Sequence, residues 1–531
     1  MNGQDEDNLN TKVEQNIEYL AAIELGSHEV ILEIMEAGPG GKLKEIESLS
    51  RTINLGSDSY RLGYITNDNV QLLLSTLRDF RKKLDVYPDV KIRLACTSAI
   101  REASNKMFIL DQVRNQCRLD LEILSNREEL SGMIRAVRHK MSDFNDKTLQ
   151  PTLLLDIGAG STQLTLFDEG KFVFTQNILL GSLRVRDRLA VLEQHTLDFK
   201  ALMREYISGD LDYYRSFVPV KKAYSNFVLV GNLISTWRSL ANLEMEGTVV
   251  LSLECFNSLF DQVTNSSTLQ LMENFEISEE QASILLPMSM LIKEVFEMTG
   301  LTEVVLPDAS LADGLLVELA EKQGIVARDL RSEEDAENFA REIAKRHYTN
   351  RDHVMQVEKL ALLLFDQLQV QHGLLPRHRF ILKIAAIMHN IGKFFNVKQD
   401  GDIAYQLIKS SELVGLSETE IEILALLVKY HSEKLENILM CDLRLSSEDQ
   451  LVLIKLIIIL ALANSLDTGH RLKVRGLRTE QTKKHITVFL ESDQDLTLES
   501  WSVQRPAAYY KEVFGKELRF IIQDNRGAFL G

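Results

Sequence analysis

Two stretches of this chain share one design, and that repeat limits the fold more than any other feature. The first is IEYLAAIELGSHEVILEIM (residues 17–35) and the second PTLLLDIGAGSTQLTLF (residues 151–167). In each, an apolar strand ends on an acid, glycine follows two residues later, and a second apolar strand leads away. Glu24-Leu25-Gly26 aligns with Asp156-Ile157-Gly158. Apolar runs joined by a Gly-Ser or Gly-Ser-Thr turn read as strand pairs. The copies lie a whole domain apart, whereas solenoid repeats recur every 20–50 residues or so. Two related lobes facing each other across a cleft are therefore expected.

Amphipathic helices separate the strands. One is TNDNVQLLLSTLRDFRKKL; another begins at Ser125, where Ser125-Asn126-Arg127-Glu128 has capping-box spacing ahead of Leu130, Met133 and Val137. After Leu316 the charged stretch ELAEKQGIVARDLRSEEDAEN marks a boundary near residue 325. Residues 335–470 are helical in pattern, with Val354, Val357, Leu360, Ala361, Leu364 and Phe365 at helical spacing. Strand alternation returns in HITVFLES and ELRFII. The expected organisation is a disordered leader (1–16), a first lobe (17–140), a second lobe (141–325), a helical domain (326–471) and a small α/β domain (472–531).

Composition enters by exclusion. No run of about 18 apolar residues occurs, so no membrane partner is expected. The start, MNGQDEDNLNTKVEQN, lacks the basic and apolar segments of a signal peptide. Cys96, Cys117, Cys255 and Cys441 lie far apart with no CxxC pair, as in reduced cytoplasmic thiols. A net charge of −17 argues against general nucleic-acid binding. It leaves room for an anionic ligand in a locally basic cleft.

The two loops suit phosphate. Gly26, Ser27 and His28 in the first, and Gly158, Gly160, Ser161 and Thr162 in the second, offer backbone N–H groups and hydroxyls. Glycine allows the close approach. Glu24 and Asp156 are candidate Mg²⁺ ligands, since Mg²⁺ is commonly held by one or two carboxylates plus waters. Glu128 is claimed by the capping box, which frees Glu129 to face the cleft as the base that activates water. Arg101, in LACTSAIREASN, offers a forked donor for phosphate oxygens. Arg61, Arg184, Arg186 and Arg188 also lie between elements, the last three at a spacing that equally fits a solvated helix start.

Taken together, these segments resemble the exopolyphosphatase / guanosine pentaphosphate phosphohydrolase (Ppx/GppA) family. AAIELGSHEV resembles A-x-I-D-x-G-S-N-S, LACTSAIREASN resembles A-T-S-A-x-R-x-A-x-N, LSNREE resembles I-S-G-x-E-E-A, and LLLDIGAGSTQL resembles D-I-G-G-G-S-T-E-L. LLGSLRV and LVGNLIST match later glycine turns, and the order is kept. The resemblance implies an α/β fold with two ribonuclease-H-like lobes of actin/Hsp70 type. It also implies an Mg²⁺-dependent hydrolase acting on polyphosphate or on the γ-phosphate of pppGpp. RDHVMQVEKLALLLFDQL, AAIMHNIGKFF, LLVKYHSE and LANSLD resemble an HD-type helical domain, followed by the family's small α/β C-terminal domain.

The departures bear on activity. Glu24 stands where the family has Asp, His28 where it has Asn, and Ala159 where it has Gly. If Ala159 needs φ > 0, it carries strain of about 1–3 kcal/mol. Gln163 replaces an acid and can neither accept a proton nor anchor a metal as an anion. In the helical part His389-Asn390 replaces the His-Asp pair, while His353 and Asp467 remain. His353 shares a helix face with Val357 and Leu360 and reads as a buried, satisfied histidine, so HD phosphohydrolase activity is not expected. Two functions stay open: a phosphoanhydride hydrolase, and a catalytically impaired module binding polyphosphate, guanosine penta- or tetraphosphate, or another nucleotide. A sugar or acetate kinase of the same superfold fits the Arg101 and Glu128-Glu129 motifs less well. The apolar helical domain is compatible with a homodimer.

Overall fold

In the computed structural model of the chain, the described residues are 18–38, 41–193, 195–215, 223–231, 234–433, 445–482, 484–523 and 529–530. The expected leader, Cys441, and Asn232 of the LVGNLIST turn lie outside them. The chain divides into two compact units, Met1–Leu330 and Arg331–Gly531.

The sequence repeat becomes a repeat of topology in the first unit. Strands β1 (Glu18–Leu25), β2 (Glu29–Ala37) and β3 (Leu43–Thr52) form an antiparallel meander. Strands β4 (Lys91–Cys96) and β5 (Leu121–Ile123) extend it in parallel beyond β1, giving the order β3-β2-β1-β4-β5. The second sheet repeats this with β6 (Thr152–Ile157), β7 (Thr162–Asp168) and β8 (Lys171–Ile178) as the meander. Beyond β6 come β9 (Asn226–Val230) and β11 (Glu303–Pro307) in parallel, with β10 (Thr248–Ser252) antiparallel at the edge. The central strands β1 and β6 are buried along nearly their whole length, which is why both read as continuous apolar runs. Each sheet has its own apolar core, one including Ile23, Leu73 and Leu94, the other Leu155, Trp237 and Phe256. Burying each such side chain contributes about 1.5–3 kcal/mol.

Helix Leu311–Lys322 follows β11 in the chain, yet it packs on β1 and on helix Asn126–Lys140 of the first sheet. Two glycines set that crossing: a Cβ on Gly314 would lie 2.0 Å from the Gly132 carbonyl oxygen. An interior helix glycine costs about 1 kcal/mol relative to alanine. What it permits here is a close packing that fixes the helix carrying Glu129.

The second unit is helical, then mixed. Helices Arg331–Arg346, Arg351–Gln367, Pro376–Met388, Glu418–Tyr430 and Ser447–Ser465 bury Val357, Leu360, Leu364, Ile384, Leu424 and Leu456. They lead into a sheet of order β12-β13-β14-β15 (Gly476–Gln481, His485–Glu491, Glu517–Gln523, Phe529–Leu530). HITVFLES and ELRFII become the parallel neighbours β13 and β14. Among the described residues no helix is long and apolar enough to cross a membrane, and Cys96, Cys117 and Cys255 are free thiols.

Candidate active site

The two repeat loops close in the same way: Gly26 N–H donates to Glu29 O and Gly158 N–H to Ser161 O, both at 2.9 Å. The scaffold takes the loop carbonyls. Ser27 O accepts from Gly56 N–H (2.7 Å), His28 O from Ile53 N–H (2.9 Å) and Gly158 O from Ser182 N–H (3.2 Å). Ala159 O accepts from the Leu183 and Arg184 amides, and Gly160 O from Arg184 Nε at 2.6 Å. A trans peptide points its N–H opposite its carbonyl. The amides of His28, Ala159, Gly160 and Ser161 therefore turn away from the scaffold, and all four residues line one cavity.

That cavity brings together Glu24, Gly26, Ser27, His28, Glu129, Asp156, Gly158, Gly160 and Ser161. Glu24 sits near the end of β1, beside Ala95 of β4; Asp156 holds the matching place on β6, beside Val230 of β9. Glu129 arrives from the first turn of its helix. The capping box forms: Glu128 N–H donates to Ser125 Oγ and the Glu128 carboxylate accepts from Ser125 N–H at 2.9 Å. Glu128 is thereby held at the cap and Glu129 lines the cavity. Burial pushes the Asp156 carboxyl up to about 7, and the Glu129 charge adds to the rise. Burial also raises Glu129, against the opposing pull of Arg101.

Three expectations change. Arg101 does not line the cavity. Its guanidinium holds the Glu129 carboxylate and donates to Leu124 O and Asn126 Oδ1, both at 2.5 Å. Thr162 faces the sheet, its hydroxyl donating to Leu180 O at 2.8 Å. Ala159 is not in the left-handed region, so it carries no strain of that kind. Glycine is required next door instead: a Cβ on Gly160 would lie 2.1 Å from the Tyr60 hydroxyl.

Gln163 lies opposite Asp156 across the β6–β7 pair, and Asn177 lies opposite Gln163 across β7–β8. Gln163 Nε2 donates to Thr175 Oγ1 (2.5 Å) and its Oε1 accepts from Asn177 Nδ2 (2.9 Å). Gln163, Asn177 and Asn126 line a side pocket that shares Glu129, Asp156, Gly158 and Ser161 with the main cavity.

Sequence reasoning missed Thr97 and Ser98 of the cavity wall and the Tyr60 hydroxyl behind it, 2.7 Å from Ser27 Oγ and 2.8 Å from Ser98 Oγ. Both stretches had drawn attention, but only for Arg101 and Arg61. The other arginines are engaged in structure. Arg184 grips Glu102 and covers the Tyr60 ring, Arg186 reaches Asp187, Ser57 and Ser283, and Arg188 meets Tyr206. Arg61 is exposed. Among the described residues no three His, Cys, Asp or Glu side chains form a ready metal cage.

In the second unit His353 is buried, its Nδ1 2.8 Å from Asp467 Oδ2 and its Nε2 3.3 Å from His389 Nε2. Burial lowers the His389 imidazole well below its usual range and His431 to about 4. Asn390 is buried beside His389.

Comparison with known proteins follows the same division. A family model described as the Ppx/GppA phosphatase family matches residues 33–323, and one for Ppx/GppA phosphatase domain III matches residues 337–505. A guanosine-5′-triphosphate,3′-diphosphate pyrophosphatase of Photobacterium profundum is 21% identical over 424 residues, 79% of this chain and 81% of the relative. A crystal structure of an exopolyphosphatase from Cytophaga hutchinsonii superposes with a TM-score of 0.52 at 20% identity, covering 57% of this chain and 98% of that one. An exopolyphosphatase-like protein gives 0.51 at 18% identity, over 58% and 99%.

Proposed function

The chain belongs to the Ppx/GppA phosphatase family, and from that premise we propose that it hydrolyses the terminal phosphoanhydride of inorganic polyphosphate or of pppGpp. The observation carrying this reading is the convergence of Glu24, Glu129 and Asp156 with both repeat loops on one cavity. The terminal phosphate rests on the amides of His28, Ala159, Gly160 and Ser161 and on the Ser27 and Ser98 hydroxyls. Glu129 takes a proton from water as its oxygen bonds to phosphorus. The bridging P–O bond breaks, and its electron pair leaves with the shortened chain. Arg101 acts through Glu129, keeping that carboxylate charged and aimed.

Two acids against an anionic substrate call for a cation. Bound Mg²⁺ would supply charge neutralisation of the phosphate oxygens. Glu24 and Asp156 are the residues to hold it, a donor set of the kind Mg²⁺ accepts. The test is phosphate release from long-chain polyphosphate and from pppGpp with Mg²⁺, wild type against Glu129→Ala. Release that Glu129→Ala abolishes supports the reading; no release from either substrate sinks it.

A second reading is favoured by Gln163, whose neutral amide is tied to Thr175 and Asn177 where an acid would add charge. On that reading the cleft binds polyphosphate or (p)ppGpp with little turnover. A large rise in turnover in Gln163→Glu at unchanged ligand affinity supports it; fast turnover by the natural chain excludes it.

A further inference from the structure

Helix Arg331–Arg346 ends in a Schellman turn: Thr349 N–H donates to Ala344 O (3.2 Å) and Tyr348 N–H to Lys345 O (3.1 Å). This places Tyr348 at the left-handed position, with φ +51°. Glycine is the usual occupant, and Gly63, Gly300, Gly373 and Gly515 fill it at other helix ends of this chain, with Arg118 and Glu276 there too but no other aromatic residue among the described helix ends. A bulky aromatic residue is strained there. Tyr348 is also 80% exposed, so core packing does not explain it.

What it does contribute is a ring. Tyr348 stacks on Phe394, with centroids 5.3 Å apart and planes 22° apart. Phe394 meets Phe395 edge-on at 5.1 Å, and both phenylalanines are more than half exposed. Arg351 follows Tyr348 by three residues and Lys398 follows Phe394 by four; both cations are exposed. Among the described residues neither makes an ion pair; Lys393, by contrast, is lowered by burial and its charge acts on His389, His431 and His470. Arg341, Arg377 and Lys383 of the same unit are all paired.

We propose that this platform is a nucleotide-binding site, distinct from the phosphate cavity: a base stacks on the exposed face of Tyr348, which Phe394 backs, while phosphates meet Arg351 and Lys398. An aromatic anion matches both halves of the patch. Bases stack on aromatic side chains, and guanidinium and ammonium groups bind phosphate. A long nucleic acid would meet the repulsion of a chain with net charge −17; a mononucleotide needs only one base face and one cationic edge.

The test is calorimetry of GTP and ATP on the full chain in EDTA, with excess inorganic triphosphate present to occupy the cleft. Nucleotide binding that survives the triphosphate is expected. Tyr348→Gly should weaken it about tenfold or more while raising Tm, because glycine relieves the strained turn. Phe394→Ala should weaken it similarly, and Arg351→Ala should weaken it and flatten its salt dependence. Triphosphate-resistant binding that stays within about twofold of wild type in both Tyr348→Gly and Phe394→Ala would overturn the proposal. So would complete displacement by triphosphate, or a single-stranded RNA that binds these residues far more tightly than either nucleotide.

Discussion

The two repeat loops share a backbone but not a chemistry. Each closes with one N–H···O bond of 2.9 Å, and each sets an acid at the end of its central strand. In the first lobe the residue opposite Glu24 is Ile31; in the second the residue opposite Asp156 is Gln163, followed by Asn177. The repeat thus keeps the same loop closure, and with it the amides proposed to hold phosphate, in both lobes. The polar row that can manage charge and water belongs to the second lobe alone, and Glu129 faces it from the first. Backbone donors are insensitive to side-chain drift, so a grip built from amides outlasts the substitutions at Glu24, His28 and Ala159.

Variants can break or sharpen this contrast. The largest effect is expected from Glu129→Gln, which should lower kcat about 10²–10⁴-fold, the usual contribution of a general base, with KM little changed. Asp156→Asn comes next. Its carboxyl is raised to about 7, so below that pH it holds a proton that a cation must displace. Activity of wild type should therefore rise with pH through about 7, and added Mg²⁺ should move the rise to lower pH. Asp156→Asn should remove that dependence, seen in a kcat/KM profile. The same raised carboxyl binds its proton more tightly folded than unfolded, so it contributes stability below the unfolded value that is lost as pH rises toward 7. Gln163→Glu should change turnover by about tenfold, a modest shift in transition-state energy, and leave affinity for triphosphate nearly unaltered. Smallest is Ala159→Gly. With no left-handed backbone to relieve, it should lower stability by about 0.4–1 kcal/mol, read as a small fall in the urea midpoint.

The fold was legible where periodicity and repetition carried it. The aligned acids of β1 and β6, the apolar runs around them and the Ser125 capping box were all written in local spacing, and so was the freeing of Glu129. Other features depend on contacts that spacing does not encode. Helix Leu311–Lys322 follows the second sheet in sequence, yet the Gly132–Gly314 crossing and the Arg93–Glu318, Arg135–Glu318 and Lys140–Asp313 ion pairs hold it on the first. Arg101 was chosen for what a guanidinium can bind; which anion it meets is decided by Glu129, 28 residues away. Thr162 looked like part of the loop, but it is already in β7, where the strand turns its hydroxyl to Leu180. Gly160 drew notice only as a loop glycine and Tyr60 not at all, because their contact spans 100 residues of chain.

The claim that gripping and cleaving are separable is tested most directly by titrating Glu129→Gln with inorganic triphosphate and Mg²⁺ in a calorimeter while following phosphate release. The account predicts binding within a few-fold of the affinity inferred for wild type, with release nearly abolished. Loss of binding together with release, or release that continues at the wild-type rate, would contradict it.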